Sequence, residues 1–542
     1  MKKITYILSC LTVLFTVISC QDFLEEENES FAVAEEFYLT GEGYQSLINA
    51  NYSQLRELYG NAPWIYVCGT DLFAEGRDAE PTGLSRYSDL NPSSSGVAEL
   101  YDNAYRAIQL ANTAVYYADL TESTDVLDQQ LGEVRYLRAN AYFLLVQTYG
   151  GVPLITEYFR EPVLEFSRES AENIYGFIIS ELEAALNQVG SGAYQGKVNQ
   201  RAVNHLLAKV YLTRGYESFG STADFTTAAS YAEAAIAGQG LNLSFAELWA
   251  PGNPTYPIKE ETLFSVQYDP ASVSTAPFDL GHQQTAYFGP YQGGSEVAGD
   301  APYRTYTLCP TQFAIDLFTE DDERYAATFM TEVYSRYFDF YDVDDTSTLP
   351  VAHYYAPAWE ATQADQDAYL AEHPEATYHP YGSYVPSANP TNDYQTIPLK
   401  KFDDPEAPFG QNTSRRDIVL SRLGETYLIA AEAYLQAGQP GTGLTFLNDV
   451  RERAGVVDAT LAEFDIDYIL DERGRELMGE YHRWFDLKRT GTLIERASAY
   501  HYLVEEGNFN GANGELKILR PIPQSALDLN QNNDFEQNPA YQ

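Results

Sequence analysis

Apolar residues return every three or four positions through most of the first 240 residues, the period of helices with one buried face. Tyr44, Leu47, Ile48, Leu55 and Tyr59 share a face of a first predicted helix, and Tyr101, Tyr105, Ile108, Asn112 and Val115 share one of a second. A third carries Leu131, Val134, Leu137, Ala141, Leu144, Leu145 and Thr148 and stops at Gly150, Gly151 and Pro153, the residue types that end helices. Ile174, Phe177, Ile178, Leu182 and Leu186 mark a fourth, and 200–214 and the alanine-rich 222–237 follow. The same design returns at 421–437, patterned by Leu423, Tyr427, Ala430, Ala431 and Tyr434, with a Gly/Pro turn leading to 441–453. Helix pairs with small residues at their contacts and tight turns between them read as tetratricopeptide-like units. Residues 241–420 break the pattern, being rich in Pro, Gly, Asp and Tyr with few sustained helical faces. The predicted fold is mainly α: a tetratricopeptide-like helical-pair scaffold carrying a large irregular, loop-rich insertion. Such an insertion is a natural carrier of function.

The N-terminus has a pattern of its own. Lys2 and Lys3 precede an apolar run from Ile4 to Ile18 that ends at Ser19 and Cys20, the layout of a secretory signal peptide too short to span a bilayer. Val17-Ile18-Ser19-Cys20 resembles a bacterial lipobox, which makes Cys20 the expected acylated N-terminus. Asp22, Glu25, Glu26, Glu27 and Glu29 follow at once, similar to the acidic tether of surface-exposed lipoproteins in Bacteroidetes-type bacteria. The alternative is an ordinary cleaved signal with a chance cysteine. The resulting division is 1–19 signal peptide, 20–40 lipidated acidic tether, 41–240 N-terminal helical region, 241–420 loop-rich region facing ligand or partner, and 421–542 C-terminal helical region.

Charge narrows the partners. Without residues 1–19 the chain keeps 31 basic against 78 acidic side chains, a surface that repels phosphate backbones, so no nucleic acid is expected. Cys68 and Cys309 are the cysteines left after the lipidated one, and spacing alone leaves their pairing open.

Residues 471–491 read Asp-Glu-Arg-Gly-Arg-Glu-Leu-Met-Gly-Glu-Tyr-His-Arg-Trp-Phe-Asp-Leu-Lys-Arg-Thr-Gly. As one helix, this stretch places Leu470, Leu477, Tyr481 and Trp484 on a buried face. It also puts Glu476, Glu480 and Arg483 at pairing distance. It closely resembles the C-terminal signature of the RagB/SusD family of outer-membrane nutrient-binding lipoproteins. Gly132 to Ala139 with Tyr149-Gly150-Gly151-Val152-Pro153-Leu154, Leu206 to Leu212, Arg422 to Ala433, Leu447 to Arg451, and the endings Leu519 to Pro523 and Gln537 to Tyr541 match that family in order. These positions are scaffold. Glu133, Arg135, Arg138, Glu476, Arg483 and Asp486 are expected as buried ion pairs, with His482 structural.

The resemblance implies a non-catalytic, cell-surface protein of the outer membrane. It would capture oligosaccharides and deliver them, as a lid, to a SusC-like TonB-dependent transporter. No cofactor is implied. Sugar rings call for flat aromatic faces beside planar hydrogen-bonding groups, and two aperiodic segments offer both. One is 61–90, with Trp64, Tyr66, Asp71, Arg77, Arg86 and Tyr87; the other is 282–306, with Gln283, Tyr287, Phe288, Tyr291, Arg304 and Tyr306. Trp359 is a further candidate, while Trp249 reads as core. Three other readings compete. A surface glycoside hydrolase would need an acid pair, which composition leaves open, but there is no Gly-x-Ser-x-Gly elbow, His-Glu-x-x-His helix or phosphate loop. Asp339, Asp342, Asp344 and Asp345 crowd together yet lack the spacing of a calcium loop, so a solvated acidic loop is expected there, with a loop-stabilising calcium ion on Asp339, Asp342 and Asp344 as the alternative. Peptide uptake with the same lid role is the alternative within the family.

Overall fold

Thr40, Ser170 and Asn199 sit just before apolar-patterned runs, and each side chain accepts a hydrogen bond from the backbone N–H three residues on. That geometry satisfies donors a helix start leaves open. The computed structural model of the protein describes residues 34–77, 81–251, 261–268, 281–290, 304–388, 396–407 and 413–542; Cys20, most of the acidic tether and Tyr291 lie outside them. The helices are α1 (Gly41–Tyr59), α2 (Val97–Ala118), α3 (Leu127–Tyr149), α4 (Ala171–Gln188), α5 (Gln200–Gly215) and α6 (Thr222–Ile236). After the irregular region come α7 (Leu423–Gln436) and α8 (Pro440–Arg453). All eight fall where the apolar period places them. Gly150 ends α3 at φ 74°, a left-handed backbone that glycine adopts without strain.

Each helix packs on the next, and α6 packs on α7 although most of two hundred residues separate them. The alanines explain how closely: Ala228, Ala229 and Ala232 of α6 meet Ala430 and Ala433 of α7 in one buried cluster. Gly443 of α8 lies so near that a Cβ there would stand 2.5 Å from the Ala431 carbonyl oxygen. The chain between α6 and α7 is thus an excursion from a continuous stack of helices. Its neck is tied by β2 (Thr262–Val266) pairing antiparallel with β7 (Ile418–Arg422). Two more ladders organise it: β1 (Phe73–Ala74) against β3 (Cys309–Pro310), and a mixed sheet of β4 (Glu332–Tyr334), β5 (Val351–Tyr355) and β6 (Thr377–His379).

The signature stretch departs from expectation. It is two helices, α9 (Ile466–Glu476) and α10 (Arg483–Arg489), followed by α11 (Leu493–Tyr500). Between α9 and α10 the backbone turns left-handed at Gly479 (φ 78°) and Tyr481 (φ 55°). Leu470, Leu477, Tyr481 and Trp484 are all buried, but the break redirects the charges. Glu476 pairs with Arg324 at 3.1 Å, Arg422 at 2.6 Å and Arg453, and Glu480 with Lys401 at 2.6 Å and Arg422 at 2.8 Å. Arg483 reaches neither and binds Asp71 instead. Arg135 and Arg138 share Glu181, Arg138 at 2.5 Å, while Glu133 is 4.0 Å from Lys197. Asp486 takes Arg473 at 2.8 Å and Arg489 at 2.9 Å.

Candidate functional site

The two aperiodic segments meet. The short helix Trp64–Val67 presents Trp64, half-buried, edge-on to the Tyr287 ring with centroids 4.4 Å apart. Tyr287 donates its hydroxyl to Gln283 Oε1 at 2.7 Å, and the Gln283 N–H donates to the Gly60 carbonyl at 3.0 Å. Further along, the β1 strand continues so that Gly76 N–H donates to the Tyr306 carbonyl at 3.0 Å. The exposed Arg77 guanidinium then lies 4.2 Å over the Tyr306 ring, a cation–π contact. The stretches 286–289 and 305–308 bond to each other through Thr305 N–H to Ala286 O and Leu308 N–H to Tyr287 O. Both aromatic pairs therefore sit on one backbone platform.

Most of the other candidates are inside it, which corrects the expectation that they face a ligand. Tyr66 lies between Tyr59 and Tyr481, its hydroxyl donated to the Leu58 carbonyl at 2.9 Å. Asp71 is fully buried and held by Arg483 Nε at 2.8 Å. Tyr87 donates to the Gly69 carbonyl at 2.8 Å and packs on Phe509. Phe288 wedges between Phe73 and Phe402. Arg304 is buried against Asp403 and donates to the Phe288 carbonyl at 2.7 Å. Tyr306 is buried beneath Arg77. Tyr66, Asp71, Tyr87 and Arg304 each join a polar tip to a partner inside the core, as buried polar groups must. Arg86, partly exposed, pairs with Glu75 at 3.1 Å. Burial raises the Glu75 carboxyl, partly offset by its Ser85 hydrogen bond and by Arg86.

The surface beside Arg77 holds groups that sequence reasoning missed. Phe313, after β3, stacks on Tyr500 at the end of α11 with centroids 3.9 Å apart and planes 16° from parallel. Tyr500 is 41 % exposed. Tyr502 donates its hydroxyl to the Glu75 carbonyl at 3.0 Å, joining this pair to β1. The one available signal was the run Tyr500-His501-Tyr502 closing a scaffold helix. The groups of these segments that keep exposed surface are Trp64, Tyr287 and Arg77, with the Phe313–Tyr500 stack joined to them through Tyr502 and Glu75: flat apolar rings, an amide and a guanidinium.

Other candidates resolve elsewhere. Trp249 is core, 4.5 Å from the Lys401 ammonium, and Trp359 is half-buried edge-on to Tyr325. Asp339 pairs with Arg336 at 3.1 Å, Asp345 accepts from Ser347 N–H, and Asp342 and Asp344 are exposed. Among the described residues no group of three or more His, Cys, Asp and Glu is placed to hold a metal ion. Cys68 and Cys309 are both buried and are not joined to each other by a disulfide. His482 is buried, with Nδ1 3.0 Å from Lys209 Nζ. Among the described residues no helix is long and apolar enough to cross a membrane.

Comparison with known proteins agrees with this architecture. A family model described as "SusD family" matches residues 260–541, and one described as "Starch-binding associating with outer membrane" matches 22–212. The chain is 23 % identical to SusD-like protein P25 of Formosa agariphila over 97 % of both chains. Its fold is similar to that of a laminarin binding SusD-like protein, with a TM-score of 0.70 at 23 % identity, covering 93 % of this chain and 100 % of that one. It is similar also to surface glycan-binding protein A from Bacteroides thetaiotaomicron in complex with laminarihexaose, with a TM-score of 0.69 at 20 % identity, covering 92 % and 100 %. With a family model spanning its C-terminal half, a second its N-terminal region, and the same fold throughout, the chain belongs to the SusD family.

Proposed function

We propose that this protein is a non-catalytic surface receptor, acylated at Cys20 and held at the outer membrane. It captures a neutral oligosaccharide on the face of Trp64, Tyr287, Arg77, Phe313 and Tyr500 and delivers it to a SusC-like TonB-dependent transporter. The observation that carries the reading is the meeting of the two aperiodic segments, with Trp64 on Tyr287 and Arg77 over Tyr306. Sugar C–H faces stack on flat rings while hydroxyls bond to planar donors, and that face has both. Relatives named for laminarin and laminarihexaose, and a family description naming starch, support a glycan as ligand.

The test is calorimetric titration of the full-length protein in detergent with neutral oligosaccharides, laminarihexaose among them, and with oligopeptides, followed by product analysis. Saturable glycan binding without new products is expected. Trp64→Ala and Tyr287→Ala should each weaken it by about 2 kcal/mol, as truncation of a stacking anchor does. Binding confined to peptides would overturn the ligand class, and cleavage products would overturn the non-catalytic reading.

A further inference from the structure

A second concave site lies along α2, away from the platform. A cleft of about 880 Å³ opens between α2, the segment 153–166 and residues 525–535, within the roughly 300–1,000 Å³ of small-molecule sites. Asp102, Arg106 and Gln109 line it from one exposed face of α2, and Tyr158 and Phe159 line it from the facing segment. Phe159 is 41 % exposed, with the Phe166 ring beside it at 6.5 Å.

We infer that this cleft is a second carbohydrate-binding site, taking a stretch of the same neutral glycan chain as the platform; the inference rests on the glycan reading above. Three observations carry it. The walls are preformed: Tyr105 donates its hydroxyl to the Pro153 carbonyl at 2.8 Å, and Asn112 donates to the Ile155 carbonyl at 2.9 Å. The Asn530 side chain likewise brackets Phe166, donating to its carbonyl at 2.9 Å and accepting its N–H at 3.1 Å. A ligand entering such walls pays little ordering entropy. The charges are mixed, Arg106 and Arg160 against Asp102, Glu157 and Glu161. This balance selects no ion and gives a hydroxyl-rich ligand both donors and acceptors. The position also suits a shared chain. Gly96, which caps α2, lies against the Trp64 ring, and the cleft begins at Tyr101 on the same helix. One long glycan held at two points gains avidity that a short one does not.

The rim also exposes Leu164 and Leu529, which a protein partner would cover, so the experiment must separate the two occupants. Full-length protein is titrated with the oligosaccharide that binds best in the panel above and with its parent polysaccharide. The variants are Phe159→Ala and, as an occluding change at an exposed position that removes no packing, Gln109→Trp. Wild type should bind the polysaccharide more tightly per chain than the short ligand. Both variants should lose about tenfold or more of that excess while short-ligand affinity at the platform stays. Unchanged polysaccharide affinity in both variants would overturn the second site and leave the platform reading standing. So would variants that keep glycan affinity but lose co-purification with the transporter, which would assign the cleft to a protein. If wild type binds no glycan of the panel, the platform reading fails first and this inference with it.

Discussion

Asp71 shows what a single residue conceals. It stands between Thr70 and Leu72 in an aperiodic stretch of aromatic and polar residues, where a ligand contact is a fair expectation. Its partner, Arg483, is 412 positions away, and nothing local announces it. The same holds for Arg304 and Asp403, 99 positions apart. An aromatic ring or planar polar group in a segment without period looks alike whether it faces solvent or is satisfied inside, so composition marked the segments without separating the residues that reach the surface from those buried beneath it. Trp64, Tyr287 and Arg77 keep exposed surface, and they are the residues that remain of the expected site. Asp71 and Trp64 should therefore fail in opposite ways. Asp71→Ala leaves the Arg483 guanidinium buried without its carboxylate and should cost about 3–5 kcal/mol in urea denaturation. Trp64→Ala, at a half-buried position, should cost the fold less than that while glycan affinity falls. A stable Asp71→Ala protein would show that the Arg483 guanidinium is satisfied without that carboxylate.

At the scale of elements, the eight long helices were legible because apolar residues recur along each with the 3.6-residue period, even where, as in the second half of α3 and the first turns of α7, the helix is buried on all sides. The break between α9 and α10 was not. Leu470, Leu477, Tyr481 and Trp484 fit a continuous helix as well as they fit two short ones, and what forces the turn is packing from another part of the chain. A Cβ on Gly479 would stand 2.6 Å from the Phe402 ring, and the residue holds φ 78°. Gly479→Ala should thus cost about 1–3 kcal/mol, the range of a strained left-handed residue. Gly441→Ala is the contrasting change. Gly441 lies in α8, where an added methyl would meet nothing within 4 Å, and alanine there should be neutral or stabilise by up to about 1 kcal/mol. Thermal unfolding of the two variants decides the matter: equal midpoints would show that the α9–α10 turn relaxes without cost. The mixed sheet of β4, β5 and β6 also escaped the sequence, since strands of three to five residues are too short for alternation to stand out.

The molecule as a whole is a stack of helices whose long excursion is pinned back at several seams, and buried histidines sit in those seams. His282 bonds to the Arg416 carbonyl at 2.6 Å at the neck. His482 lies between Lys209 of α5 and Glu425 of α7. His501 meets Ser85 at 3.3 Å, joining the chain's two ends. Burial lowers the first to about 4, the second to about 3 and the third to about 4. In the unfolded chain these rings protonate near their ordinary value of about 6.5, so between that pH and about 4 the unfolded state binds more protons. Their share of stability is complete above pH 6.5 and declines as the pH falls toward 4. Glu472 acts in the same direction lower down. Burial would raise it, but Arg324, Arg475 and Arg451 outweigh that and hold it at about 2, so its contribution is lost from about pH 4.5 downward. Glu133 and Asp403, raised by burial, take up protons first in the folded state and soften the decline. Urea midpoints should fall steadily from pH 6.5 to 4.5, and His482→Gln should make that fall shallower. A midpoint constant down to pH 4.5 would mean that the seams open to water and let the histidines protonate in place.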